Sequence, residues 1–530
     1  MEYPVESFNE DERSRLAPHF TNLDQPVFAI TGLPETVKGA LFARYSRYQG
    51  TLRRLYLDEF AGDVAPAAPF EGEGERAAQL YERIFLGYGD DSVAQLGGAH
   101  VACEWVSNVL TKVLQRSRLM SYLEQSTRYI AYDAAMPNGG YRYYRHPELG
   151  PEYARTMDGL FDTYARSLPV VEAWAADRFP RTGEEPESAY RRSIKAKALD
   201  LLRGLLPAAS LSHMGIFASG QAYEQLVLHL LGSPLPEARE YGRMILRELN
   251  KVIPSFLTRV ERPDRGGEWV SYLARRSDAA ERWSSRFGLD RGRARAQSAP
   301  SVRLLDVRGG EDELLAALLF EACAASEEEI RATIHVLPPD ERAQLLRELV
   351  GERSNRRHRP GRGFEAVSYR FEVVSDYGAF RDLQRHRMLT VQWQPLTPHL
   401  GAGVPEELAD AGVADAYRAA LDSSREEYER LVRRDLKPLA PYALCLGYRI
   451  RYVLDMNARE AMHLIELRSG REGHPAYRAV AHELHAQIAK VHPAIAAAMT
   501  HVDRDTEPRL ERILSEIRTQ AKRTAVSAPQ

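Results

Sequence analysis

Hydrophobic and polar positions divide the chain into helical and extended stretches of unequal clarity. A helical spacing runs around Lys38–Phe60. Apolar residues recur at helical spacing over Ala77–Leu86 and again over Val93–Leu114, where Val106, Val109, Leu110, Val113 and Leu114 fall on one side. Ser121–Ile130 (SYLEQSTRYI) reads as extended, which puts Glu124, Ser126 and Arg128 on one face at a period of two. Helices are predicted over Tyr153–Phe179, Glu187–Leu206, Ser219–Leu231 and Glu237–Ile253, the last stopped by Pro254. Residues 263–300 lose the periodicity and turn polar and basic with Pro, Gly and Ser, the signature of a linker, here with a short helix inside it. Beyond the linker, residues 311–350 are helical and Tyr369–Val374 alternates as a strand. Ala414–Arg434, Asn457–Arg468 and Pro475–Val491 are helical, and a charged helix with a frayed tail ends the chain.

One eight-residue stretch occurs twice, as Leu114–Ser121 (LQRSRLMS) and Leu383–Thr390 (LQRHRMLT), at an offset of 269. Two further pairs follow in the same order: Ser219-Gly220-Gln221-Ala222 with Asn457-Ala458-Arg459-Glu460 at 238, and Lys251-Val252-Ile253-Pro254 with Lys490-Val491-His492-Pro493 at 239. A single insertion of about 30 residues after Ser121 in the first half reconciles all three, which reads as a tandem duplication. The repeated Arg-x-Arg is a poor core segment, because a guanidinium leaves water only for an anionic or carbonyl partner. A carboxylate or a phosphate is therefore expected at both copies.

Composition narrows the classes. A chain of 530 residues suits two domains, drawn at 1–262 and 301–530. With 71 basic and 74 acidic residues the net charge is −3, which gives no global field for nucleic acid or a membrane surface. Cys103, Cys323 and Cys445 lie far apart, without CxxC or Cys/His metal spacing, and read as buried thiols of a reducing cytosol. No metal site is expected. The acidic, polar N-terminus is no signal peptide and no apolar run spans a bilayer, so a soluble cytoplasmic protein is expected.

The motifs resemble the flavin-dependent thymidylate synthase (ThyX) family, whose identifying run is Arg-His-Arg, seven residues, Ser. The first half has Arg116-Ser117-Arg118 and then Ser126, followed by Thr127-Arg128-Tyr129; the second has Arg385-His386-Arg387 and then Pro395. The family's nucleotide-binding Arg ahead of a Leu-Pro turn matches Arg203, while Pro441 aligns with it in the second half. Its Asn-Ala-Arg helix start with a later Arg matches Asn457, Arg459 and Arg468, while the first half has Ser219, Gln221 and Leu230 there. Asn457 and Arg468, eleven residues apart, share one helix face. The match covers roughly residues 77–257 and 355–497.

In that family each active site is assembled across subunits, and the motifs here divide the same way. The resemblance implies an α+β fold of two tandem domains, each a mainly antiparallel sheet flanked by helices. It implies one composite site per chain that binds dUMP through Glu124, Ser126, Arg128, Arg203, Arg385 and Arg468, with Ser126, Arg385 and Arg468 catalytic. FAD would be held by His358, Arg385, His386, Arg387, Asn457, Arg459 and His463. The implied reaction methylates dUMP to dTMP with methylenetetrahydrofolate and NADPH, without a cysteine nucleophile. The family is tetrameric, so a duplicated chain implies a homodimer acting as a pseudo-tetramer. Two departures stand out: the family's Gln ahead of the triplet is replaced by Asp382 or Val113, and a flavin-contacting Asn by His463. Two other readings therefore stand beside the first. One is a degenerate nucleotide-binding or scaffold protein. The other is a flavoenzyme acting on a modified pyrimidine nucleotide. Arg116 and Arg118 read equally as surface or inter-domain salt-bridge residues, and Arg356-Arg357-His358-Arg359 as a solvated loop. Gly89–Gln95 resembles the family segment in which His358 lies, with Asp at the His position, and the linker arginines Arg291, Arg293 and Arg295 read as solvated.

Overall fold

The structure, a computed structural model, describes residues 3–62, 76, 79, 94–136, 139–183, 185–289, 299–507 and 509–526. The expected helix Ala77–Leu86 (apart from Gln79), most of Gly89–Gln95, and Arg291, Arg293 and Arg295 lie outside these residues. The chain forms two compact units, one of residues 1–167, 205–294 and 416–445, the other of residues 168–204, 295–415 and 446–530. Each unit thus holds one half of the sequence less a helical piece, plus the corresponding piece of the other half.

The first unit is built on a four-stranded antiparallel sheet in the order β1 (Val27–Ile30), β2 (Gly98–Ser107), β4 (Leu211–Ser219), β3 (Met120–Glu124). One face packs on the helices Gly220–Leu231 and Pro236–Leu249, enclosing Val101, Cys103, Met214, Ile216, Tyr223 and Tyr241. The helices Glu35–Tyr45 and Leu52–Glu59 cover a second cluster around Phe28, Leu41, Tyr45 and Leu55. From residues 416–445, Tyr442 stacks on Tyr144 with ring centroids 4.5 Å apart and donates to Glu237 Oε2 at 2.7 Å.

The second unit repeats this topology with β5 (Ser301–Arg308), β6 (Ser368–Asp376), β8 (Arg449–Asn457) and β7 (Thr390–Trp393) in the order β5-β6-β8-β7. Its buried residues include Tyr369, Phe371, Val373, Tyr452 and Leu454 of the sheet, and Val480, Leu484 and Ile488 of the helix Pro475–Val491. The fold is α+β, with two antiparallel sheets flanked by helices, as expected.

The duplication extends to single hydrogen bonds. Asn108 N donates to Ser210 O at 3.1 Å and Tyr377 N to Tyr448 O at 2.9 Å; Val109 N donates to Ala208 O and Gly378 N to Leu446 O. Ser121 pairs with Phe217 and Thr390 with Asp455. Every one of these correspondences is at 269 on the first partner and 238 on the second. The insertion therefore lies between β3 and β4, after Ser121 as expected.

Three expectations are corrected. Val93–Leu114 is no single helix: Gly98–Ser107 is β2, and only Asn108–Leu114 is helical. Burial is continuous from Ala99 to Ser107, so both faces need apolar residues and the alternation that marks a strand is absent. A bulge between Cys103 and Val106, with Trp105 at φ +58°, breaks the period further. The linker contains the 19-residue helix Glu268–Arg286, which has no buried residue, and β5 starts directly after it at Ser301. Cys103 and Cys445 are buried, but Cys323 is exposed at the end of a short helical turn. No helix among the described residues is long and apolar enough to cross a membrane.

Candidate functional site

In the second unit the basic triplet follows a seven-residue helix, Tyr377–Leu383. Asp376 ends β6 and caps that helix, its Oδ1 accepting from Ala379 N at 2.8 Å. The helix stops at Gln384, and the chain turns through Arg385, His386 and Arg387 into β7.

Arg203, from the first half of the sequence, belongs to this unit and is only 3% exposed. It follows the helix Glu187–Leu202 and opens the turn leading to Pro207. Its Nη1 donates to Asp382 Oδ2 at 3.3 Å, and its Nη2 lies 3.6 Å from Asp376 Oδ1 with no hydrogen-bond acceptor. The guanidinium rests on Gly378: a Cβ there would stand 2.8 Å from both Nε and Nη2. Arg385 Nη1 lies 3.8 Å from Asp382 Oδ1, so one carboxylate serves two arginines from opposite halves of the sequence. Three of the four expected nucleotide arginines, Arg203, Arg385 and Arg468, are thus in this unit.

His386 is 7% exposed, and both of its ring nitrogens are engaged. Arg468 Nε lies 3.0 Å from His386 Nε2, and Glu460 Oε1 lies 2.8 Å from Nδ1. A guanidinium only donates, so Nε2 accepts, Nδ1 carries the proton and donates it to Glu460. Burial, followed by the Arg468 and Arg359 charges, holds His386 well below the usual imidazole range, which keeps it neutral at pH 7. The Glu460 carboxyl is pushed up by burial against the opposing pull of His463 and three arginines. Glu460 sits in the first turn of the helix Ala458–Arg468, where Asn457 Oδ1 accepts from its N–H at 2.9 Å.

His463 stacks at an angle on His386, with centroids 5.4 Å apart, and burial brings its imidazole down to about 4. Among the described residues, His386, Glu460 and His463 form a group at metal-ligand spacing, with ligand atoms within 4.8 Å of one another. The guanidinium of Arg468 contacts this group directly and Arg359 Nη2 lies 3.5 Å from His463 Nδ1, a field suited to anions. Of the other expected flavin residues, Arg459 Nε donates to Pro360 O at 3.0 Å. His358 is exposed and stays within its own loop, near Ser354 and Asn355; Arg359 is the member of that run that approaches His463.

Glu124, Ser126 and Arg128 lie in the first unit, and they do not share a face. β3 ends at Glu124, and Ser126–Tyr129 is a turn in which Ser126 O accepts from Tyr129 N at 3.2 Å. Ser126 Oγ also accepts from Arg128 N at 3.2 Å, a hydroxyl-to-backbone bond that competes with strand pairing. Glu124 is fully buried: Lys112 Nζ and Gln115 Nε2 each donate to its Oε2 at 3.0 Å, and Lys112 also reaches Gln115 at 2.8 Å. The turn is tied to its unit by Ser126 N donating to Ser46 O and by Gln125, which bonds Tyr48 O and receives Arg142 Nη2 at 2.9 Å.

Sequence reasoning missed Asp376, Gly378, Glu460 and Lys112, and read Asp382 only as a departure from the family. The duplication carried the missing signal. At 269 or 238, Asp376 opposes Ser107, Asp382 opposes Val113 and Glu460 opposes Ala222, so each new acid faces an uncharged counterpart beside a retained arginine.

The family model described as thymidylate synthase complementing protein matches residues 51–255 and 303–494. A UPF0159 protein of Chlamydia muridarum is 37% identical over 97% of this chain and 99% of its own, and one of Chlamydia pneumoniae 38% identical over 94% and 96%. One from Thermoplasma acidophilum is 33% identical over 92% of this chain and 99% of its own. Among solved structures, a UMP/dUMP methylase from Streptomyces cacaoi bound with 5-Br dUMP is 22% identical over 40% of this chain and 99% of its own, with a TM-score of 0.31.

Proposed function

We propose that this chain, which belongs to the thymidylate synthase complementing protein family, is a flavin-dependent thymidylate synthase that converts dUMP to dTMP with methylenetetrahydrofolate and NADPH. The observation that carries the reading is Arg203. A guanidinium supplied by one half of the sequence is buried on Gly378 of the other, beside Arg385, with Nη2 lacking an acceptor. A buried donor without an acceptor is costly unless a ligand oxygen completes it, and a nucleotide phosphate is such a ligand. Arg385 and Arg468 add two further donors in the same unit. Ser126, Arg128 and Glu124, the residues expected to bind the pyrimidine, belong to the first unit.

For the flavin, the donor set fits a diphosphate. Arg385, Arg387, Arg459 and Arg359 offer only N–H groups, and Asn457 keeps its amide nitrogen available while its oxygen caps the helix. FAD, when bound, supplies reducing equivalents from NADPH that turn the transferred one-carbon unit into a methyl group. The protein's part is to hold both substrates, exclude water and neutralise charge.

Three measurements test the reading. Wild-type chain should rescue a thymidine-requiring strain, while Arg385→Ala and Ser126→Ala should not. Purified protein should be yellow, with near one FAD per chain. Colourless protein that cannot be reconstituted favours a non-catalytic nucleotide-binding protein, for which the engagement of Glu124 by Lys112 and Gln115 is the supporting observation. Light scattering should give a dimer of chains.

A further inference from the structure

We infer that Glu460 is a positioning residue: by fixing His386 in one tautomer it aims Arg468 at the nucleotide. The inference deepens the proposed function and rests on Arg468 being a dUMP ligand.

Three observations support it. First, the chain of contacts is continuous and directional. Glu460 Oε1 accepts from His386 Nδ1 at 2.8 Å, and His386 Nε2 accepts from Arg468 Nε at 3.0 Å. The resemblance casts His386 as a flavin contact, yet neither ring nitrogen is left to face a cofactor. The imidazole instead links a carboxylate to a guanidinium. Second, Arg468 is held close by two neutral partners, His386 at Nε and Tyr477, which both hydrogen-bonds it and offers its ring at 5.5 Å, while Asp382 attracts it from further off. With Nε turned to His386 and one further N–H bonded to Tyr477, the remaining N–H groups of the guanidinium can meet an oxyanion. Third, all three links are absent from the first half, where Ala222, Ser117 and Leu230 occupy the equivalent positions. The relay is present or absent as a set.

The tautomer matters because the alternative puts a proton on Nε2. An Nε2–H would point at a second donor, Arg468 Nε–H, and the guanidinium would have to turn away. Glu460 prevents this by accepting only from Nδ1–H. Asn457 holds Glu460 in turn, since its side chain caps the residue's own N–H.

The test uses full-length, flavin-loaded protein titrated with dUMP, together with steady-state kinetics. Glu460→Ala should raise the dissociation constant and KM for dUMP about tenfold to a hundredfold, the effect of losing one charge-assisted link, while FAD per chain and kcat at saturating dUMP change little. Glu460→Gln, which still accepts through Oε1, should return KM to near wild type. In a His386→Ala background, Glu460→Ala should add nothing. Nitrogen-15 spectra of the histidine rings, with His386→Ala identifying the signal, should show Nδ1–H in the wild type and its loss in Glu460→Ala. The inference is overturned if Glu460→Ala binds dUMP as wild type does, if FAD and dUMP binding fall in parallel, or if the wild-type ring carries its proton on Nε2. A wild-type chain that binds no dUMP at all overturns the proposed function instead, and the nitrogen-15 spectrum then still decides the tautomer.

Discussion

Ser107 and Asp376 stand at the same place in the two halves, each ending the second strand of its sheet and capping the helix that follows. Ser107 Oγ accepts from Leu110 N at 3.0 Å, and Asp376 Oδ1 accepts from Ala379 N at 2.8 Å. Their other partners diverge. Ser107 turns to a buried carboxylate: its N–H and Oγ–H both donate to Glu237, at 2.8 and 2.6 Å. Asp376 turns to Arg203, and two residues on, Gly378 clears room for that guanidinium where the first half has Val109. Identical backbone frames thus carry an anchored carboxylate in one half and a buried cation in the other. A duplicated scaffold keeps its caps and registers because folding depends on them, while the second partner of each cap is free to specialise.

The largest expected effect comes from undoing the first half's own buried pair. Lys112→Met should destabilise the chain by about 3–5 kcal/mol, because Glu124 would lose the buried ammonium that donates to its Oε2 at 3.0 Å. Chemical denaturation measures this. At the equivalent positions the second half has Arg381 and Trp393, an indole where the first half has the Glu124 carboxylate.

Gly378→Val makes the second half resemble the first. Because even a Cβ at this position stands 2.8 Å from Arg203 Nε and Nη2, the guanidinium must move. Activity at low dUMP should fall about a hundredfold, roughly 3 kcal/mol of binding. The reciprocal Val109→Gly should leave dUMP turnover near wild type and lose only about 1–2 kcal/mol of stability. Equal losses of activity in both variants would erase the distinction between the halves.

Glu237 gives the comparison a pH dependence. Burial raises its carboxyl from about 4.5 to about 7, despite the bonds from Ser107 and Tyr442. Between those values the folded chain holds a proton that the unfolded chain has released, so stability falls as pH rises through that window and levels off above it. The change is on the order of 3 kcal/mol. Urea denaturation across this range should show the decline, and Glu237→Gln should flatten it. Smallest is the pair of helix caps: Ser219→Ala and Asn457→Ala should each cost about 1 kcal/mol, but only Asn457→Ala should also lower FAD content.

Much of the fold was legible because the repeat fixes equivalences without any knowledge of secondary structure. Offsets of 269 and 238 between short matching segments located the insertion after Ser121, although the strands β4 and β8 themselves were not foreseen. What stayed hidden follows from burial. β2 is covered on both faces, so its pattern mimics a helix, and the turn at Ser126 depends on a side-chain bond to Arg128 N that no periodicity encodes. At the site, Arg203, Arg385, His386 and Arg468 could be picked out by motif. Their counter-charges could not: Asp376 and Asp382 meet Arg203 only once residues 168–204 join the second unit, and Glu460 meets His386 only when its helix packs beside the turn after Leu383. Gly378 was invisible for a related reason: its role is the absence of an atom, required by a residue 175 positions earlier.

The reciprocal composition of the two units has a bearing on synthesis. The first unit includes residues 416–445, so it cannot be completed when its own half leaves the ribosome at about residue 294. At roughly 5–20 residues per second, another 7–30 seconds or so pass before Tyr442 emerges to cover Tyr144 and Glu237. For that interval the nascent chain exposes an aromatic surface with a buried-type carboxyl at its centre, a natural substrate for chaperones. Expressing residues 1–294 alone would leave the same surface uncovered permanently, and its solubility should improve when residues 295–530 are supplied in trans.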